Sequence, residues 1–375
     1  MPFRGVASKT MSTSWKRWVP AAAVPLVVVA AAVTLPLSAS AAGDLPEKSA
    51  ADLLTFVAES DTTAFSGEVQ QTSALGLPDL SALGSTGSGA QGADDASATS
   101  ALMEIATGSH QARVFVDAEH GARLQVLDRL AERDVVATKA DGLWIYDSAE
   151  NSATHLLPPT GDTSAPPTEA PAGEIPTPSS VAEQLLASID PTTTVAVGSD
   201  VRVAGRDAYE LVLTPRDSST LVGSVTVSID GETGLPLGVA VTPVGGTAPA
   251  FSVAYTSIDV SAPDAAMFSF TPPVGAEVTE KAAPTHEEDA SADATDVPAA
   301  PEGDSGVTTT GTGWGSIVEL PSGDAESLAQ LNAVTTAVDG GRVLSSALFT
   351  VLFTDDGRVL AGAVPVDALT AAAGR

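Results

Sequence analysis

The chain has 375 residues, with 17 basic and 47 acidic side chains, four His and no Cys. A disulfide scaffold, a thiolate zinc site, an iron–sulfur cluster and a Cys nucleophile are thereby excluded. The formal net charge of −30 opposes a phosphate backbone, because nucleic-acid binding depends on cationic side chains releasing counterions, so no nucleic-acid partner is expected.

In chain order, the first element is an export segment. Arg4, Lys9, Lys16 and Arg17 precede an uncharged run from Val19 to Leu37, and small residues Ser38 to Ala42 come before the first acid, Asp44. Residues 1–42 therefore read as a signal peptide or an N-terminal anchor in the cytoplasmic membrane. Ala39-Ser40-Ala41 and Ser40-Ala41-Ala42 both fit a cleavage site, whereas the length of the run approaches the ~20 residues of a spanning helix. A start at Met1 or at Met11 leads to the same conclusion. Only 13 basic residues but all 47 acids follow this segment, so the positive-inside rule places the rest of the chain outside the cytoplasm.

From Glu47 to Ser60, Leu53, Leu54, Phe56 and Val57 recur at helical spacing, and Phe65 to Thr72 reads as a strand. Ser73 to Ser100 is a Gly/Ser/Ala-rich loop. Its Gly87-Ser88-Gly89-Ala90-Gln91-Gly92 matches a dinucleotide fingerprint in letters but lacks the strand that such a turn needs. Between Gln111 and Leu157 short alternating runs separated by turn residues predict an antiparallel meander. Trp144 and Tyr146 alternate there with Leu143 and Ile145, which predicts a strand covered on both faces. The insertion 158–180, with seven prolines from Pro158 to Pro178, cannot sit inside a sheet, and Val181 to Ile189 predicts a short second helix.

A second β region follows up to Tyr255. Its strict alternation predicts one apolar sheet face, and Asp230 to Gly234 reads as a hairpin loop. Residues 282–312 are acidic and Pro/Thr-rich and are expected to form a disordered linker. Residues 313–366 predict a small module in which the run from Ala347 to Phe353 pairs with Val359 to Val364. With so little core of its own, that module is expected to dock on the main domain or a partner.

No catalytic constellation emerges. His110, His120, His155 and His286 are scattered and read as solvent-exposed, with no pair at metal-ligand spacing, so no metal and no cofactor are expected. Gly303-Asp304-Ser305-Gly306 falls in the acidic linker, where nothing holds a base near the serine. Asp94-Asp95, Glu287-Glu288 and Asp355-Asp356 fall in loops, tail or turn, where carboxylates stay solvated.

Two short helices cannot cover so large an apolar face, which predicts a strongly curved sheet with a free concave side. The candidate lining is Val114, Val116, Leu124, Val126, Leu211, Leu213, Val225, Val227, Ile229, Leu237, Val239, Val241, Phe251 and Val253. The competing reading is that these residues fill a closed core.

Several segments together resemble the bacterial lipoprotein-carrier superfamily, which includes the LolA-like carriers and the N-terminal domain of the RseB (MucB) regulators. They are Ala50-Ala51-Asp52-Leu53-Leu54 followed by Phe65-Ser66-Gly67-Glu68-Val69, the loop Leu75 to Leu80, the strand Asp141 to Asp147, and Met267 to Gly275. The resemblance implies an α+β fold over residues 44–281: a curved, antiparallel, unclosed half-barrel covered by short helices, with the small C-terminal β-hairpin module appended. It also implies a non-enzymatic, extracytoplasmic protein whose cavity accepts a lipid or a lipoprotein acyl chain. The alternative it implies is a regulator acting through contacts with an anti-sigma factor or a membrane transporter.

Overall fold

The computed structural model describes residues 45–77, 108–127, 131–158, 191–282, 308–320 and 334–374. The export segment, most of the Gly/Ser loop, the Pro-rich insertion beyond Pro158, the expected helix from Val181 to Ile189 and the core of the acidic linker lie outside them. Among the described residues no helix is long and apolar enough to cross a membrane.

The opening helix α1 spans Ala50–Ala58. It is shorter than the apolar spacing predicts because Ser49 caps it. The Ser49 hydroxyl accepts from the Asp52 N–H, and the Asp52 carboxylate accepts from the Ser49 N–H, a reciprocal capping box. The preceding residues are extended, and the Leu45 N–H donates to Asp200 Oδ2 at 2.9 Å.

Thirteen strands form the large sheet: β1 (Ala64–Ser73), β2 (Gln111–Asp117), β3 (Gly121–Leu127), β4 (Glu132–Thr138), β5 (Gly142–Asp147), β6 (Ser152–Leu157), β7 (Thr193–Val197), β8 (Val201–Val203), β9 (Arg206–Pro215), β10 (Val222–Asp230), β11 (Pro236–Pro243), β12 (Phe251–Asp259) and β13 (Glu277–Ala282). Their order is β13-β6-β5-β4-β3-β2-β1-β12-β11-β10-β9-β7, with β8 on β9, and the two ends do not meet. Every described pairing is antiparallel except β13 on β6. The fold is thus the unclosed antiparallel sheet that alternation predicts. The parallel strand β13 is an addition, because its Glu277-Val278-Thr279-Glu280-Lys281 carries little apolar signal of its own.

The sheet rolls up strongly. Three strands separate β8 from β12, and in a flat sheet four spacings of about 4.8 Å would hold them roughly 19 Å apart. Instead their Cα atoms come within 8 Å, and Val203 and Ala208 pack in one cluster with Val69, Val114, Leu237, Val253 and Tyr255.

The small sheet contains β14 (Thr308–Thr310), β15 (Ile317–Leu320), β16 (Thr336–Val338), β17 (Gly341–Ser345), β18 (Thr350–Thr354) and β19 (Val359–Gly362), in the order β14-β15-β19-β18-β17-β16. The expected hairpin is its centre, β18 on β19. Helix α2 (Val366–Ala373) lay beyond the pattern read from sequence; its Leu369 is fully buried against Ile317, Leu352, Leu360 and Val364. Strand β14 falls inside the stretch 282–312 that composition marks as unstructured.

The two sheets are joined. The Leu221 N–H and the Thr220 hydroxyl both donate to the Ala363 carbonyl at 2.7 Å, and the Ala347 N–H donates to the Leu75 carbonyl at 2.8 Å. Around these bonds Leu75, Val222, Ala250 and Leu348 form a buried cluster flanked by Trp314, Phe349, Val225, Val241 and Phe251.

Candidate ligand-binding face

Strand registers decide which predicted residues share a face. Leu213, Val225, Val241 and Phe251 form one row across β9, β10, β11 and β12, and Leu211, Val227, Val239 and Val253 form the next. Val253 pairs with Gln71 of β1, and two-residue alternation along β1 carries the same face to Gly67, opposite Val114 and then Leu124. Val116, Val126 and Ile229 follow by alternation. Leu237 sits at a register shift between β10 and β11 and enters the core there. The fourteen side chains are therefore brought to one inner face, the face that α1 covers.

They do not all remain available. Val114, Leu211, Ile229, Leu237 and Val253 are fully buried. Leu53 of α1 closes over Tyr209, Leu211 and Ile229, with Leu213 and Val227 at the margin. The β8–β9 hairpin closes over Val114 and Val253, with Val116 and Leu124 at the margin. The small sheet reaches Val225, Val241 and Phe251. Core filling accounts for the five buried residues, while Val126 and Val239 are half-buried and belong to none of these clusters. The nine half-buried residues keep the inner face partly accessible.

The more open part lies on β3 to β6. From Leu124 the register runs to Val135, Ile145 and Thr154, and a neighbouring row joins Ala137, Leu143 and Leu156. Val135, Leu143 and Leu156 are half-buried and Ile145 is 39% exposed. The rim of this area is polar, since Val126 is opposite Arg133, whose Nε donates to Asp147 Oδ2 at 3.1 Å.

On the outer face of the same strands the situation is reversed. Asp134, Val136, Ala153 and His155 are buried. The segment around Phe268 and Phe270 lies against them: Arg123 donates to Asp134 and to the Met267 carbonyl, and Phe270 packs on Trp144 and Tyr146. The expectation of a strand covered on both faces thus fails at β5, where the aromatic side is closed and the Ile145 side is not. His155 also differs from expectation. It is 6% exposed, stacks on Trp144 with ring centroids 3.9 Å apart, and its Nε2 lies 2.6 Å from the Asp141 carbonyl.

Val135, Leu143, Ile145 and Leu156 were missed as candidate lining. Their alternation was visible, but only the turn at Asp141-Gly142, where Gly142 has φ 77°, sets the β4–β5 register that aligns them with Leu124. Among the described residues no group of His, Asp and Glu is arranged to hold a metal ion.

The inner face also carries a buried phenol. Tyr255 is 9% exposed, and burial pushes its phenol well above the ordinary value, so it stays protonated. Its ring meets Phe65 edge-on.

No family model and no curated protein matches this chain. Solved structures do resemble it. The complex of Pseudomonas aeruginosa MucA and MucB is 17% identical with a TM-score of 0.42, over 86% of this chain and 96% of that one. MucB itself is 16% identical with a TM-score of 0.38, over 86% and 94%. A LolA superfamily protein of Nitrosomonas europaea is 11% identical with a TM-score of 0.21, over 60% and 99%. These are the two groups that the sequence segments resemble.

Proposed function

We propose that this chain is an extracytoplasmic, non-catalytic binding protein that accommodates a lipid or lipoprotein acyl chain along the accessible part of its inner face. The observation that carries the reading is the asymmetry of β3 to β6. On the outer face Asp134, Val136, Ala153 and His155 are buried, whereas on the inner face Val135 is aligned with Ile145 and Leu143 with Leu156, and these four, with Val126 beside them, form an apolar surface that the described clusters leave partly bare. Each CH₂ transferred from water to such a surface contributes at most about 0.8 kcal/mol, so a long acyl chain binds without a charged anchor.

In this reading residues 1–42 export the chain and end as a cleaved signal or an anchor, 44–281 form the binding unit, 282–312 the linker and 313–366 the core of the second unit. The experiment is native mass spectrometry of the purified protein together with titration by a fluorescent fatty acid. Co-purified lipid or saturable uptake is the expected result; absence of both overturns the reading.

A regulatory role through an anti-sigma factor or a membrane transporter is the second reading. It is supported by the seating of the small sheet against Val225, Val241 and Phe251, because a partner gripping that sheet would feel the state of the inner face. A partner pull-down that survives removal of residues 313–374 would count against it.

A further inference from the structure

Three tyrosines are present in the sequence, and two of them have hydrogen-bonded hydroxyls. Tyr209 donates to the Pro46 carbonyl at 2.8 Å, and the Tyr146 hydroxyl bonds Asn151 Oδ1 at 3.3 Å. Tyr255 is more than nine-tenths buried among Val69, Val114, Val203 and Val253, and among the described residues its hydroxyl has no hydrogen-bond partner. An unsatisfied buried hydroxyl is costly, which is why tyrosines in apolar surroundings normally find a partner. Among the described residues the sealed side-chain polar atoms without a partner are Thr72 Oγ1 and His155 Nδ1. The Tyr255 hydroxyl is not one of them, so it is not wholly sealed.

Its direction follows from Gly67. A Cβ built there would lie 2.7 Å and 2.9 Å from Cδ1 and Cε1 of Tyr255, so the ring crosses β1 directly above the glycine. Gly67 stands in the row that continues through Val114, Leu124, Val135 and Ile145. A tyrosine lying across a neighbouring strand reaches beyond the strand spacing of about 4.8 Å, which carries the hydroxyl towards β2, at the border of the accessible apolar surface. From β2 to β5 the row extends three spacings, roughly 14 Å. One acyl chain in a bilayer reaches about 15 Å, half of the ~30 Å hydrocarbon core.

We propose that the Tyr255 hydroxyl is the polar anchor of the inner face, donating a hydrogen bond to the carbonyl or carboxylate oxygen at the head of a single long acyl chain whose tail lies over Leu124, Val135 and Ile145. A buried protonated phenol suits that role, because it offers a donor without bringing a charge into the apolar surface. The proposal rests on the acyl-chain reading and adds the orientation of the ligand and the chemistry of its head.

The test compares the full chain with Tyr255→Phe. The probes are palmitic acid labelled with ¹³C at the carboxyl carbon and, in a parallel arm, a synthetic lipopeptide acylated at its N-terminus. The variant should bind at least one of them about tenfold more weakly, the size of effect expected from one hydrogen bond to a carbonyl oxygen. The bound carboxyl resonance should shift between the two forms if palmitate is the ligand. Thermal stability should be unchanged or higher, because the lost hydroxyl had no internal partner. Equal affinities for both probes overturn the anchor while leaving the acyl-chain reading intact. A melting temperature several degrees lower in the variant overturns it too, since the hydroxyl would then be bonded within the fold. Failure of both forms to bind either probe removes the acyl-chain reading and the anchor with it.

Discussion

The indole N–H of Trp314 donates to Thr193 Oγ1 at 2.8 Å, linking the 3-10 turn before β15 to the first residue of β7. Thr193 is 3% exposed, so this bond between the two sheets is shielded from water. Trp314→Phe keeps most of the apolar contact and deletes the donor, which should cost about 0.5–1.5 kcal/mol. Urea unfolding followed by fluorescence would measure it. If the small sheet unfolds separately, the early transition alone should move.

Leu53 is the one fully buried residue of α1 and the centre of its seat on the inner face. Leu53→Ala should destabilise the protein by about 2–5 kcal/mol, because the surrounding strands cannot collapse into the space a leucine leaves. The capping pair should matter less. Ser49→Ala removes one orphan-donor partner at an exposed site, for a loss of about 1 kcal/mol at most in chemical denaturation.

Ile145 separates binding from folding. At 39% exposure it contributes little core, so Ile145→Glu should leave the unfolding midpoint nearly unchanged. Fatty-acid uptake should nevertheless fall by an order of magnitude or more, since a carboxylate would be desolvated beneath the acyl chain. Unaltered uptake in a fluorescence titration would move the ligand off β3 to β6.

Asp230 gives the fold a pH dependence of known sign. Its side chain is 1% exposed, and this burial opposes ionisation. The bidentate bonds from Arg206 and the Thr233 donors outweigh burial and hold its pKa below the usual carboxylate value. A depressed folded-state pKa contributes stability that is present above the unfolded value, near 4, and is lost as pH falls through the folded value. Denaturation midpoints should therefore drop with acidification below about pH 4. Arg206→Ala should cost about 3–5 kcal/mol at neutral pH by leaving a buried carboxylate unpaired. Without Arg206 this acid dependence should weaken, because only the Thr233 donors then oppose the effect of burial.

Gly67 tests the path of the Tyr255 ring. A methyl group there would meet the Ser257 carbonyl at 2.5 Å as well as the ring, and backbone cannot yield as a flexible side chain can. Gly67→Ala should lose about 1–3 kcal/mol in thermal or chemical unfolding.

The chain's chemistry by itself determined which residues are apolar and how they alternate. From that came the antiparallel strands, the opening helix and the shared inner face of Val114, Leu124, Leu211, Val225, Val241 and Val253. Alternation is local: successive side chains along one strand point to opposite faces whatever the neighbours are. Only the tertiary structure decided which part of that face is shut. Leu53 covers β9 and β10, the rolled β8–β9 hairpin covers β12 and β2, and the small sheet reaches Phe251, all through residues far apart in sequence. The accessible remainder moved to Val135, Leu143, Ile145 and Leu156, and the phenol of Tyr255, without a hydrogen-bond partner among the described residues, became visible. Burial and hydrogen-bond satisfaction depend on what arrives from elsewhere in the chain, and no periodicity along a strand records that.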